Sequence, residues 1–87
     1  MNIYVGNLNY EVEDYDLTEL FEEYGSVSSS KVIMDKFTGR SKGFGFVEME
    51  DHDEASNAIR ELNGVTYENR DIIVNEAKPR KNNYNRF

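Results

Sequence analysis

Eighty-seven residues, 38% hydrophobic and 13% aromatic, make one small domain with enough apolar content for a core. No run approaches the ~18 apolar residues of a membrane span, and the opening MNIYVGNL lacks the basic segment of a signal peptide. With no cysteine there is no disulfide framework, thiolate metal site or cysteine nucleophile, and the chain is expected to be cytoplasmic and monomeric, with neither metal nor cofactor.

The net charge of −7 argues against a nucleic-acid partner only until its distribution is considered. Seven acids and no base lie between Glu11 and Glu23, leaving ten acids against ten bases elsewhere. Lys36, Arg40 and Lys42 share one loop, and Lys78, Arg80, Lys81 and Arg86 share the tail. One acidic element and two basic ones are segregated along the chain.

In chain order, Asn2 to Asn7 alternates and ends at Gly6-Asn7, which predicts a strand. Leu17, Leu20, Phe21 and Tyr24 form an apolar helix stripe, with an acidic first turn that suits the helix dipole and Gly25 expected as its C-cap. Val27 to Met34 predicts a second strand and Gly43 to Met49 a third, separated by the turn-rich Asp35 to Ser41. Ala55, Ala58, Ile59 and Leu62 make a second helix stripe, closed by Asn63-Gly64. Asp71 to Glu76 predicts the last strand, and residues 80–87 form an aperiodic tail, expected to be flexible, after a domain of residues 1–79.

The order β-α-β-β-α-β predicts an α+β, ferredoxin-like sandwich: a four-stranded antiparallel sheet with two helices on one face. Period-2 parity then decides which residues each face receives. The aliphatic helix stripes need Ile3, Val5, Val32, Val47, Met49, Ile72 and Val74 beneath them, with Gly45 letting a helix sit close. Tyr4, Lys31, Ile33, Phe44, Phe46 and Asn75 are left on the bare face. Inverting the third strand to bury its two phenylalanines would expose Gly43, Gly45, Val47 and Met49, and in the same sheet would bury Tyr4 while leaving Ile3 and Val5 outside. Joint consistency of the strands favours bare aromatics.

These residues carry a resemblance. Lys42-Gly43-Phe44-Gly45-Phe46-Val47-Glu48 fits the octamer motif of the RNA recognition motif (RRM) family, and Ile3-Tyr4-Val5-Gly6-Asn7-Leu8 fits its hexamer. The chain resembles the single-domain form found in small bacterial RNA-binding proteins and plant glycine-rich proteins over residues 2–80. The resemblance implies binding of single-stranded RNA by base stacking on Tyr4 and Phe46, with Phe44 packed between sugars; the magnitude of stacking on two or three bases points to micromolar or weaker affinity. It further implies Lys42 at a phosphate, Asn75 and the backbone around Glu76 and Ala77 at base edges, and Lys78, Arg80 and Lys81 folding over the RNA. Lys31 and Ile33 share the face as further candidates, and Arg40 joins them from the basic loop.

Three departures stand out. Met49 replaces the octamer's final aromatic, but with inward parity. Glu13 stands where relatives often carry a threonine N-cap, which predicts a weaker helix start. The tail is short where relatives carry glycine-rich extensions.

Other features read more plainly. His52 belongs near the second helix start, on the surface or as a cap. Gly43-x-Gly45 is no dinucleotide site, since no helix N-terminus follows it. No loop gathers catalytic groups around an anion cradle, so no enzymatic activity is expected. Phe37 is unusual, because relatives usually carry a polar residue there: it either tucks against the strand ends or reaches out to stack. The acidic stretch Glu13 to Glu23 is a solvated helix face or a docking surface for a basic protein partner. Single-stranded DNA is a rival ligand, because stacking does not read the 2′-hydroxyl.

Overall fold

The protein is described by a computed structural model covering residues 1–77. The tail residues assigned above to the RNA, Lys78, Arg80 and Lys81, lie outside the described residues. In chain order the elements are β1 (Asn2–Gly6), α1 (Asp14–Glu22), β2 (Ser29–Met34), β3 (Ser41–Glu48), α2 (His52–Leu62), β4 (Thr66–Tyr67), β5 (Arg70–Asp71) and β6 (Ile73–Glu76). The main sheet is antiparallel, in the order β2-β3-β1-β6, and β4 and β5 form a separate hairpin. This is the ferredoxin-like arrangement expected from the sequence.

One face of the sheet holds the core. Ile3, Val5, Val32, Val47, Met49, Ile72 and Val74 are all buried, as parity predicts, and pack with Leu17 and Phe21 of α1 and with Ala55, Ala58 and Leu62 of α2. Gly45 explains how closely α1 approaches. A Cβ there would stand 3.2 Å from Leu17 Cδ1 and 3.0 Å from Val32 Cα, and would overlap the Lys31 carbonyl oxygen.

Each edge strand of the sheet has one amide capped by a side-chain acceptor. Val32 on β2 donates its N–H to Asp14 Oδ1 at 2.7 Å, and Val74 on β6 donates to Asn63 Oδ1 at 3.0 Å. Unpaired edge amides template aggregation, so such caps matter in a small open sheet.

Some boundaries differ from the sequence reading. Gly25 is not the C-cap: Glu23 is, in ordinary right-handed conformation, with Tyr24 N–H tightening the last turn onto Phe21 O at 2.9 Å. Gly25 instead leaves space for the Glu54 side chain, whose Oε1 accepts the Ser26 N–H at 3.2 Å. At the other end of α1, Glu13 occupies the N-cap position, and its N–H donates to Asp16 Oδ2 at 2.8 Å.

The last strand begins at Ile73, two residues later than expected, because Arg70–Asp71 turns back to pair with Thr66–Tyr67. The turn residues Glu68 and Asn69 have φ of 50° and 68°, the double left-handed pattern that usually requires Asn-Gly, so the sequence carries no plain hairpin signal. The hairpin is tethered to the chain after β1: Asn9 Nδ2 donates to Glu68 O, Asn7 Nδ2 to Asp71 O, and Arg70 to Asn7 Oδ1. Asp51, accepting the Glu54 N–H at 3.0 Å, caps α2, and His52 is an exposed first-turn residue.

Candidate nucleic-acid interface

The registers of the four strands place Lys31, Phe46, Tyr4 and Asn75 in one row across the sheet. Lys31 pairs with Phe46, Phe46 with Tyr4, and Tyr4 with Asn75. All four side chains are on the face away from the helices, where Lys31, Phe46 and Asn75 are exposed and Tyr4 is half-buried. Phe44 and Ile33, also half-buried, complete the apolar part of that face.

The three rings form a triangle. Centroid separations are 5.8 Å for Tyr4–Phe44, 5.9 Å for Tyr4–Phe46 and 6.1 Å for Phe44–Phe46, with Phe46 edge-on to both of the others. These are favourable aromatic distances, so the rings support one another while their outer surfaces stay available. Phe46 remains 37% exposed although it sits in a central strand. Tyr4 is held down by its own strand: its ring lies over Gly6, where a Cβ would come within 2.7 Å of Cε2 and 2.8 Å of Cζ.

Lys42 and Arg40 are exposed at the start of β3 and in the loop before it. Gly43 bends this entry with φ of +84°, its N–H donating to Ser41 Oγ at 3.0 Å and its carbonyl accepting the Leu8 N–H at 2.8 Å. In the β2–β3 loop, N–H groups of Phe37 and Thr38, and then the Lys42 charge, hold the Asp35 carboxyl below its ordinary value of 3.8. At the other end of the sheet, the Ala77 N–H is already committed to Asn2 O at 2.8 Å, which removes that donor from the base-edge readers the resemblance suggested.

Three further placements bear on the site. Phe37 does not tuck against the strand ends; it is 98% exposed. Ile73, overlooked in the sequence, lies on the bare face opposite Gly6 and is 46% exposed; its parity with Asn75 was the available signal. On the other side of the β2 edge, Tyr10, Tyr15 and Met34 are exposed apolar side chains around an open groove of about 800 Å³, which Glu11, Glu13 and Asp14 also line.

Comparison with known proteins identifies the family. The family described as RNA recognition motif matches residues 3–73, most of the chain. The chain belongs to the RNA recognition motif family. Among curated relatives of this RRM domain, RbpA of Synechocystis sp. is 52% identical over 82 residues, covering 94% of this chain and 81% of the relative. The crystal structure of RNA Binding Protein PG1 superposes with a TM-score of 0.89 at 56% identity, covering 94% of this chain and 99% of that one. The structure of the Rna15 RRM with bound RNA (GU) superposes with a TM-score of 0.80 at 29% identity, covering 90% and 83%. Among the described residues no helix is long and apolar enough to cross a membrane.

Proposed function

We propose that this RRM domain is a binding module, without catalytic activity, that holds single-stranded RNA on its bare sheet face. Tyr4 and Phe46 stack successive bases and Phe44 packs against the sugars. Lys31, Lys42 and Arg40 meet phosphates, Asn75 reads a base edge, and Ile33 extends the apolar margin. The single observation that carries this reading is the row Lys31–Phe46–Tyr4–Asn75, which sets two rings between a cation and an amide. The RRM relatives that are named or solved as RNA binders support it. The domain runs over residues 1–79, and residues 80–87 form a basic, aromatic tail from which, together with Lys78, further contacts to the RNA are made.

Stacking contributes about 1–3 kcal/mol per base by truncation, so two or three bases give roughly 3–8 kcal/mol before ordering costs. A dissociation constant of 1 µM needs about 8 kcal/mol, so the sheet alone gives micromolar or weaker binding. Duplexes hide their base faces, which restricts the ligand to single strands.

The test is an amide NMR titration with randomised short single-stranded RNA, repeated on Tyr4→Ala and Phe46→Ala. Shifts centred on Tyr4, Lys42 to Phe46 and Val74 to Ala77, lost in the two variants, are expected. Absence of shifts there at millimolar RNA would sink the stacking mechanism. The same oligomer as DNA separates the two ligands: equal affinity would make the domain a general single-strand binder.

A second reading is favoured by the groove between α1 and the β2 edge. Its tyrosines, Met34 and three acids, against the single cation Lys31 in its lining, suit a basic protein segment, with arginine over the exposed Tyr10 and Tyr15 rings. An arginine-rich peptide that shifts Tyr10, Tyr15 and Met34 at micromolar concentration supports this reading, and a silent groove removes it.

A further inference from the structure

The β2–β3 loop presents an aromatic ring that folding does not use. A single exposed hydrophobe is ordinary on a protein surface. Phe37 differs in what surrounds it. Its ring is 98% exposed, at the tip of a turn closed by its own hydrogen bonds. Asp35 N–H donates to Arg40 O at 2.7 Å and Gly39 N–H to Asp35 O at 2.8 Å. Asp35 Oδ1 accepts the N–H groups of Phe37 at 2.7 Å and Thr38 at 3.2 Å, and Thr38 Oγ1 accepts the Arg40 N–H at 3.2 Å. The backbone that carries the ring is therefore organised in advance, which lowers the ordering cost of any contact the ring makes.

The charge around the ring selects among ligands. Lys36, Arg40 and Lys42 are exposed here in a chain of net charge −7, and the single acid among them, Asp35, has turned its carboxylate onto the loop's own amides. An apolar ring flanked by cations suits a π-faced, anionic polymer better than an acidic helix face or a neutral protein patch.

We infer that Phe37 is a second stacking station, separate from the sheet triangle, which takes a base of single-stranded RNA extending past the edge of the sheet. This rests on the sheet reading above and adds a length requirement to it. Lys31 stands at the end of the aromatic row, and Met34, where the loop departs, is three residues further along β2, roughly 10 Å at ~3.3 Å per residue. A stacked strand rises about 3.4 Å per nucleotide, so RNA seated on the sheet needs about three more nucleotides to reach the base of the loop, and at least one beyond those to meet the ring. A tetranucleotide fills the sheet and stops short. A nonanucleotide reaches the loop.

The experiment measures the affinities of a tetranucleotide and a nonanucleotide pool for the full chain and for Phe37→Ala and Phe37→Trp, with amide shifts followed throughout. Because the side chain is free of the core, thermal melting of the variants should match the parent. The expected result is a nonanucleotide affinity that falls about fivefold or more in Phe37→Ala and is retained in Phe37→Trp, the factor carried by one stacked base. Tetranucleotide affinity should be the same in all three. Normal RNA shifts at Tyr4 and Phe46 together with a nonanucleotide insensitive to Phe37→Ala would overturn this inference alone, and would return the ring to the protein-binding surfaces. An equal loss for both lengths would also overturn it, since the ring would then act on the sheet site. No shifts at Tyr4 or Phe46 would remove the sheet reading, and this inference with it.

Discussion

The Tyr4 ring rests on Gly6, two residues along the same strand, and occupies the space that any side chain at position 6 would need. The aromatic face is thus partly built by an absence. In Gly6→Ala the new methyl meets the mobile end of a side chain, so the ring tips outward rather than the backbone moving. Position 6 is buried only beneath that ring, so stability should change by about 1 kcal/mol, the central tendency for point substitutions. RNA affinity should fall, but by less than the roughly five- to hundredfold loss of Tyr4→Ala. Paired denaturation and RNA titrations of the two variants check this.

Gly45 shows the opposite behaviour on the inner face. There a methyl would meet the Lys31 carbonyl and Val32 Cα, which are backbone, as well as Leu17. Gly45→Ala should cost about 3 kcal/mol, a large share of the stability of a domain this small. Urea denaturation should show a lower midpoint with an unchanged slope.

Asp14 links the first turn of α1 to the sheet edge through the Val32 amide. Asp14→Ala leaves that N–H without its partner and should cost about 1–2 kcal/mol, whereas Asp14→Asn keeps an acceptor and should cost less. Hydrogen exchange at Val32 reads the difference directly: the amide should exchange faster in the alanine variant.

The depressed pKa of Asp35 gives the loop a pH dependence whose sign is fixed. Its ionised form is favoured by the Phe37 and Thr38 amides and then by Lys42. The loop is therefore fully tied above the ordinary value of 3.8, and the tie is lost as pH falls through the lower folded value. Amide signals of Phe37 and Thr38 should move with a midpoint below 3.8 and stay still in Asp35→Asn. A midpoint at or above 3.8 would contradict the hydrogen bonds described.

Salt dependence should be shallow between 50 and 300 mM. The acidic helix lies across the sheet from the aromatic face proposed for RNA, about one packing layer of ~10 Å away, beyond the physiological screening length of ~8 Å. Repulsion slows association at low salt, while few phosphates are neutralised. A steep loss of affinity over that range, as for a basic binder, would show that phosphates rather than stacking dominate.

Much of this fold was legible because two periodicities agree. Leu17 and Phe21, or Ala55 and Leu62, can be buried only against Ile3, Val5 and Val47, and that choice places Tyr4 and Phe46 outside. The β4–β5 hairpin was not legible, because Glu68-Asn69 adopts left-handed conformations without glycine and the hairpin is held by Asn7 and Asn9, 64 and 59 residues away from their partners in sequence. Gly25 was misread because a glycine after a helix stripe suggests a C-cap, whereas its role is to leave space for Glu54, a tertiary contact with no local pattern. The direction of Phe37 was undecidable for a similar reason: its exposure depends on how the Asp35 turn closes.

The aromatic row has one more consequence. Its four members come from four strands, and the first and last in chain order are Tyr4 and Asn75. No fragment of the chain holds the whole row, and each strand that detaches removes a member. A growing polypeptide acquires the platform only once the last strand has been synthesised and added beside the first, so a nascent chain cannot capture RNA through the whole row. In the finished molecule the dependence runs the other way: on the proposed function, RNA across the row would clamp first strand to last and protect the protein from unfolding as its concentration rises past the dissociation constant.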